Sequence, residues 1–576
     1  MIKNVFIGKN SIADYTVVIP DNASECEVYS AKELVKYLKL TVGIELNIVK
    51  ESEEHGKNAI YIGRCYKTAK QVKFEKYGEE GFVISVFDCC LFITGNEKRG
   101  TLYGVYTLLE NYIGWRFFTQ DTELLLDGDV TLEDGLCDEQ FPQLEWRDVA
   151  IPAYMKCDIS AKRKINSSYL RPFTEEMGGS FLYPGRFVHT MESLLDVPQH
   201  QQPCFSDEEN LKKCIENVKK LCRGYPEARI ISVTQNDNEI GAENFCKCEK
   251  CRKIDEEEGS HAGSLLRFVN AVADAIKDEY PKVKIMTLAY LHTCKCPSVT
   301  KPRDNVIIEF APMELCYNHQ VYDENCEINQ EFLDNFRKWG KIAKTIYLWD
   351  YNANFSFTVP HFPNFHTIRK NIGYYFHHNV KGMFCEGDNY YDDHITDMVE
   401  LRAYLLSKLL WDPQMSEEEF DRHMDEFMEG YYGPGAKYIK EYLGMLEEAS
   451  RFDNEGKDRH IRCYQNPQHL FSVEYMINND DKMNELWEKA AELCETELQR
   501  EHLERSRLGY IYSSLLYTFD RRMESAKTEE EKEALIKRNE AFYRGLEKNN
   551  IEPRGWQSKL PEMTDFTQNA GVKIYW

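Results

Sequence analysis

Three carboxylates in this 576-residue chain stand where apolar runs stop. Glu386 closes the run Val380-Lys381-Gly382-Met383-Phe384-Cys385 and is followed by Gly387, a residue that would let a substrate approach the backbone. Glu314 lies two residues past Pro312, beside Leu315 and Cys316. Asp237 sits in the polar tip Gln235-Asn236-Asp237-Asn238 after Ile230, Ile231 and Val233. Two facing carboxyl groups can cleave a glycosidic bond, one protonating the leaving oxygen and the other stabilising or attacking the anomeric carbon. An acid flush with a buried strand is costly unless paired or used, which puts Glu386 first. The apolar neighbours of Glu314 would lift its pKa toward that of a general acid. Plainer roles stay open: Glu386 accepting from loop amides, Glu314 paired with an arginine, and Asn236-Asp237 as a turn capping the next segment.

A second group falls at strand ends: Trp349 and Asp350 as a stacking wall with a hydroxyl acceptor, and Tyr290, His319 and His189. Together with Asn236 they are the candidate substrate-binding residues, with packed core positions as the competing reading. Cys246-x-Cys248-x-x-Cys251 has metal-ligand spacing. A fourth ligand from Cys222, Cys294, Cys296 or His261 would complete a structural zinc site; three free thiols in a loop is the alternative. Thiolate-rich zinc sites are structural rather than catalytic. No histidine stands where a cysteine nucleophile would need one.

These side chains need elements to hold them. Residues 1 to about 140 read as a small α+β unit, with strands at 17–20, 59–63, 81–86 and 91–95, a helix at 30–40 and another near Gly100. From Gln143 the pattern becomes strand, long polar loop, helix. Strands are predicted at 144–150, 186–190, 229–237, 283–290, 305–312, 345–351 and 380–387, and an eighth is not visible. After 229–237 comes a helix from about 261 to 280, with Leu265, Val269, Val272 and Ile276 on one face. Repeated βα units favour a barrel, whose strands carry functional side chains at their carboxyl ends. From Met415 the chain reads as helical: a capping-box start at Ser416, then helices at 484–501, 507–519 and 529–548.

The length calls for about three domains. A hydrophobic content of 42%, with 13% aromatics, supports packed cores. The 35 tyrosines and 8 tryptophans suit sugar stacking as well as ordinary packing. A net charge of −25 argues against nucleic acid and anionic membranes as partners. The 19 cysteines form an odd set in a large chain with no secretory leader at Met1-Ile2-Lys3-Asn4, so they read as reduced thiols in a soluble cytoplasmic protein. A chain trimmed of its leader would read the same. No run of 18 apolar residues exists to span a membrane. Oligomeric state is left open.

Two stretches resemble known families. GNEKRGTLYGVYTLLENYIGWRFF resembles the closing segment of the N-terminal accessory domain of α-glucuronidases and β-N-acetylhexosaminidases, where a small α/β domain precedes a catalytic (β/α)8 barrel. The ordered string ISVTQND, CxCxxC, FAPMELCYNH, WDYN, GMFCEGD and ELRAYLLSKLLWDP resembles the domain of unknown function family numbered 4838. Part of that family is assigned to glycoside hydrolase family 163, endo-acting β-N-acetylglucosaminidases. The resemblance covers roughly residues 1 to 440. It implies an α/β chain with an accessory domain at 1–140, a TIM-like barrel at 141–414 and a helical domain at 415–576. It also implies a hydrolase of O-glycosidic bonds, first of a β-N-acetylglucosaminide, with an oligosaccharide or glycan as substrate and no required organic cofactor. In substrate-assisted enzymes of that kind a carboxylate orients the sugar's acetamide, the role open to Asp237. An α-glucuronidase-like exo-hydrolase and a non-catalytic carbohydrate-binding barrel are the alternatives.

Overall fold

The computed structural model describes residues 2–559 apart from 71, 97, 168–172, 182, 238–243, 388–396, 454, 550, 552–553 and 556–557. Asn238, at the polar tip read above, therefore lies outside the described residues. The chain divides into two compact units, Met1–Glu145 with Ala153–Phe181 and Trp146–Pro152 with Leu182–Trp576.

The first unit contains β1 (Thr16–Ile19), α1 (Glu25–Val42), β2 (Ile48–Lys50), β3 (Ala59–Ile62), β4 (Phe82–Phe87), β5 (Cys90–Gly95), α2 (Gly100–Thr107) and β6 (Cys137–Gln140). Its main sheet is mixed, in the order β6-β4-β5-β3-β1-β2. Helix α1 starts at a reciprocal capping box between Ser24 and Glu27 and stops on Gly43 at φ 76°, a left-handed conformation that costs glycine little. It is longer than the predicted helix at 30–40 because the caps lie outside the apolar stripe. The motif before α2 works by close approach: a Cβ on Gly95 would stand 2.7 Å from the Gly100 Cα. The segment 153–181 returns to this unit. There Arg99 donates to the Asn166 carbonyl at 2.9 Å and Tyr103 to the Ile165 carbonyl at 3.1 Å. Arg163 pairs with Glu110 at 2.5 Å, both buried.

The second unit is built on six parallel strands: β7 (Trp146–Ala150), β8 (Ile230–Ser232), β9 (Lys284–Ala289), β10 (Val306–Phe310), β11 (Thr345–Tyr351) and β12 (Val380–Glu386). They run in the order β7-β12-β11-β10-β9-β8, the sheet of a TIM-like barrel. The β10 sequence VIIEF is buried throughout, as a parallel strand covered on both faces requires. The predicted segment 186–190 is not a strand. Its His189 has φ 55°, and it meets the end of β8 through two bonds, Thr190 N–H to the Thr234 carbonyl at 3.2 Å and Thr234 N–H to the Thr190 hydroxyl at 3.0 Å. Strand β12 pairs directly with β7, Ala150 opposite Glu386, so no strand stands between the last and the first. Aromatic rings fill the interior: Trp146 packs on Tyr347 at 5.2 Å and Phe187 on Trp349 at 5.7 Å between ring centres.

Helices α3 (Glu208–Gly224), α4 (Glu249–Glu258), α5 (Ala262–Ile276), α6 (Glu327–Ile342), α7 (Phe365–His377) and α8 (Val399–Trp411) alternate with or follow these strands. The helical region continues with α9 (Glu417–Tyr432), α10 (Ala436–Arg451), α11 (Val473–Glu492), α12 (Glu497–Ser525) and α13 (Glu529–Lys548). The Ser416–Glu419 capping box is present at α9. The predicted helix at 484–501 is instead the end of α11 and the start of α12, split where Thr496 caps the next helix with Gln499. The loop after β11 is anchored in this region: Phe357 and Val359 are buried with Leu508, Tyr512 and Phe542. Each such buried side chain contributes on the order of 1.5–3 kcal/mol. Among the described residues no helix is long and apolar enough to cross a membrane.

Candidate active site

Strand alternation decides which residues reach the barrel mouth. Glu386, at the end of β12, lies opposite Tyr351 of β11, and Phe384 lies opposite Trp349. Trp349 donates its indole N–H to Glu386 Oε2 at 2.8 Å, and Glu386 is buried at 4% exposure. That bond orients the carboxyl. The Glu386 carbonyl also accepts the Asn352 N–H at 2.6 Å, which ties the two strand ends together.

Tyr290, directly after β9, bridges the mouth. Its hydroxyl donates to Asp237 Oδ1 at 3.4 Å. Burial first, then the negative charges of Asp237 and Glu386, raise the Tyr290 phenol well above its ordinary range. His189 stands on the other side of Asp237, Nε2 to Oδ1 at 3.9 Å, while its Nδ1 meets the Gln235 carbonyl at 2.9 Å. Burial lowers the His189 pKa against the opposing pull of Asp237. The cluster can hold a proton on a phenol between two acids and present an aromatic wall to a ring-shaped ligand.

A segment from far along the chain completes this rim. The Cys463 carbonyl accepts the Phe355 N–H at 2.6 Å, the Ile461 carbonyl accepts the Tyr317 N–H at 2.7 Å, and the Cys463 thiol donates to the Met313 carbonyl at 3.2 Å. Tyr464 thereby packs on Phe355 at 5.6 Å, and Phe355 in turn meets Tyr351 at 5.8 Å. Sequence reasoning missed Tyr464 because nothing in the stretch between α10 and α11 marks it. Tyr351 was within reach of the period-2 rule, two residues past Trp349.

Other expected site residues have surroundings of their own. Asp350 alternates with Trp349 and sits on the opposite face of β11, where its carboxylate accepts from the Asn352 amide at 3.1 Å and burial lifts its pKa to about 7. Trp349 and Asp350 therefore do not share one wall. Asn236 is buried, and its amide donates to the carbonyls of Val197, Pro198 and Gln201 at 3.0–3.1 Å, holding that loop. Glu314 is exposed rather than enclosed by its apolar neighbours. Gly387 is small for packing: a Cβ there would run into the Ile151 side chain. A carboxyl that went unnoticed, Glu309 of β10, is fully buried with no described hydrogen-bond partner, and burial pushes it up to about 8.

The CxCxxC cysteines do converge, and the fourth group is Cys204, none of the four candidates considered. The ligand atoms of Cys204, Cys246, Cys248 and Cys251 lie within 4.8 Å of one another. Cys204 Sγ stands 3.7 Å from Cys248 Sγ and 3.8 Å from Cys251 Sγ. Tetrahedral zinc with bonds of about 2.3 Å separates its sulfur ligands by about 3.8 Å, so the set fits zinc. The Cys251 N–H also donates to Cys248 Sγ at 3.4 Å. Of the excluded candidates, His261 is held by Asp255 at 2.9 Å, and burial keeps the thiols of Cys294 and Cys296 up at about 12. His319 lies away from Tyr290 and Glu386 in its bonding, its Nδ1 3.3 Å from Cys316 Sγ.

Residues 136–444 match the family described as a domain of unknown function, DUF4838. The chain belongs to the DUF4838 family. Residues 8–108 also match the glycosyl hydrolase family 67 N-terminus. Among curated proteins none matches the chain. Of solved structures, a family GH115 4-O-methyl-α-glucuronidase, BtGH115A, specific for decorated arabinogalactans, is similar at 12% identity with a TM-score of 0.56. That match covers 94% of this chain and 77% of that one, and shows a common fold. CpGH84D is similar at 12% identity and TM-score 0.45, over 98% and 96% of the two chains. A β-N-acetylhexosaminidase from Bacteroides fragilis is similar at 13% identity and TM-score 0.40, over 73% and 91%. The DUF4838 match ends inside α10, short of the segment that brings Tyr464 to the mouth.

Proposed function

We propose that this DUF4838 chain is a glycoside hydrolase whose reaction takes place at the mouth bounded by Glu386, Trp349, Tyr290 and Asp237. The observation that carries the reading is the Tyr290 hydroxyl, bonded to Asp237 and within the field of Glu386. Glu386 donates the proton to the leaving oxygen, its carboxyl oriented by the Trp349 indole. Asp237 orients the acetamide of an N-acetylglucosamine unit, whose oxygen attacks the anomeric carbon, and Tyr290 and Tyr464 hold the ring. Because the sugar supplies the nucleophile, the protein needs no organic cofactor. Zinc at Cys204, Cys246, Cys248 and Cys251 is structural, in keeping with its all-thiolate ligands.

The preferred substrate is a neutral β-N-acetylglucosaminide within an oligosaccharide, because the Asp237 carboxylate beside Tyr290 repels an anionic sugar. The family 67 N-terminal match and the likeness in fold to an α-glucuronidase favour a second reading, a uronic-acid glycoside. Hydrolysis of a panel of aryl glycosides and N-acetylglucosamine-containing oligosaccharides, with the Glu386→Gln protein as control, tests both. Turnover of uronides alone would replace the first reading by the second, and full activity in the Glu386→Gln protein would dismiss this site.

A further inference from the structure

Besides the CxCxxC cluster, a second set of metal-type donors meets at the base of the segment that carries Tyr464. We propose that Cys316, His319, Cys326 and His460 bind a second structural zinc ion, which clamps the loop after β10 to the 460–465 segment. The ligand atoms of all four lie within 4.8 Å of one another. Cys316 Sγ is 3.3 Å from His319 Nδ1, and Cys326 Sγ is 3.6 Å from His460 Nδ1. Tetrahedral zinc with Zn–N near 2.0 Å and Zn–S near 2.3 Å places neighbouring donors about 3.3–3.8 Å apart, so these separations already suit the ion. The two imidazoles meet edge to face with ring centres 5.2 Å apart, an arrangement in which both nitrogens can turn to one point. Two thiolates and two imidazoles in a tetrahedron select zinc over calcium or magnesium, which prefer oxygen.

The surroundings are built to hold these donors. Asn329, buried in the first turn of α6, accepts the Cys316 N–H at 2.9 Å and donates to the carbonyls of Cys316 and Gln320, both at 3.2 Å. This fixes the loop that supplies three of the four ligands, the outer-shell support that metal sites need. Asn318 reaches across to the carbonyls of Ser450 and Arg459, both at 2.9 Å, and Tyr317 N–H meets the Ile461 carbonyl at 2.7 Å. His460 is separated from Cys326 by 134 positions, so the site joins parts of the chain that no local element connects. Its position accounts for His319, which read as a substrate-binding residue, and gives the segment carrying Tyr464 a fixed root one turn of chain from the rim.

The test is the metal content of the full chain, purified without chelator, with zinc quantified by plasma mass spectrometry. Wild-type protein is expected to carry zinc in both clusters. The Cys316→Ser/Cys326→Ser and His319→Ala/His460→Ala proteins are each expected to lose about one equivalent and keep the other, and Cys204→Ser/Cys251→Ser to lose the opposite one. Unchanged zinc in the His319→Ala/His460→Ala protein overturns the proposal, as does a Cys316–Cys326 disulfide found by mass mapping of the wild type. Should the cysteine variants fail to fold, cobalt substitution of the wild type serves instead. Cobalt absorption with a mixed sulfur and nitrogen component in the wild type, lost in His319→Ala/His460→Ala, supports the site; thiolate-only spectra in the wild type overturn it.

Discussion

The indole of Trp349 and the carboxyl of Glu386 meet at 2.8 Å across two adjacent parallel strands, each residue at or near the last position before its loop. Replacing Glu386 by Gln keeps the shape and removes the proton donor, so kcat is expected to fall by ~10²–10⁴-fold with binding preserved. Trp349→Phe keeps the apolar wall and deletes one charge-assisted bond of about 1.5–3 kcal/mol, for a loss of roughly 10–100-fold. Glu314→Gln, at an exposed position, is expected to leave kcat within about threefold of wild type. Steady-state kinetics on whichever glycoside the panel identifies checks the order of these three effects.

His189 and Asp237 approach to 3.9 Å, with burial and the carboxylate acting on the imidazole in opposite directions. Asp237→Asn removes the pull that favours the protonated ring and leaves the burial. His189 is therefore expected to titrate at lower pH in that variant, read by NMR of its ring protons. An unchanged titration would mean the two groups do not couple.

Glu309 governs a different pH dependence. Its folded pKa of about 8 lies above the unfolded value of about 4.3. Between those values the unfolded chain has released a proton that the folded chain keeps. The stability associated with the neutral carboxyl is therefore present below about pH 4.3 and declines, at about 1.4 kcal/mol per pH unit, as pH rises toward 8. Glu309→Gln removes this slope. Thermal midpoints of wild type and variant are expected to diverge in favour of the variant on going from mildly acidic to mildly alkaline buffer; parallel curves would refute the assignment.

Two glycines of β12 and its end pack against neighbours that leave no room for a methyl group. A Cβ on Gly382 would stand 2.9 Å from the Trp146 Cβ and from the Tyr347 ring, and one on Gly387 would strike Ile151. Gly382→Ala and Gly387→Ala are each expected to cost about 1–3 kcal/mol, seen as lower thermal midpoints.

Much of this arrangement was legible in the sequence. The apolar run ending in Glu386 marked a strand end correctly, because a buried parallel strand must be apolar and its loop need not be, whereas β8 stops at Ser232, before Asp237. The resemblance of the motif string supplied the fold class. What stayed hidden depends on contacts between distant positions. Cys204 precedes its partner Cys248 by 44 residues and Tyr464 follows Trp349 by more than a hundred, and no local pattern links them. Asp350 shows a different failure: reading neighbours as a pair overlooks the alternation that turns one of them away. The segment 186–190 has strand-like composition, yet His189 at positive φ breaks the extended backbone, and composition does not reveal that.

The first unit is discontinuous in sequence, and this bears on how the polypeptide is made. Its buried Glu110 finds Arg163, and its buried Arg99 the carbonyl of Asn166, only in the piece at 153–181. A nascent chain halted after residue 145 would lack the arginine that pairs with Glu110, and removing one partner of a buried ion pair typically costs about 3–5 kcal/mol. Ribosomes must therefore extend past the barrel's opening strand before the N-terminal sheet can settle, and a gene fragment cut at that border is expected to yield aggregated product.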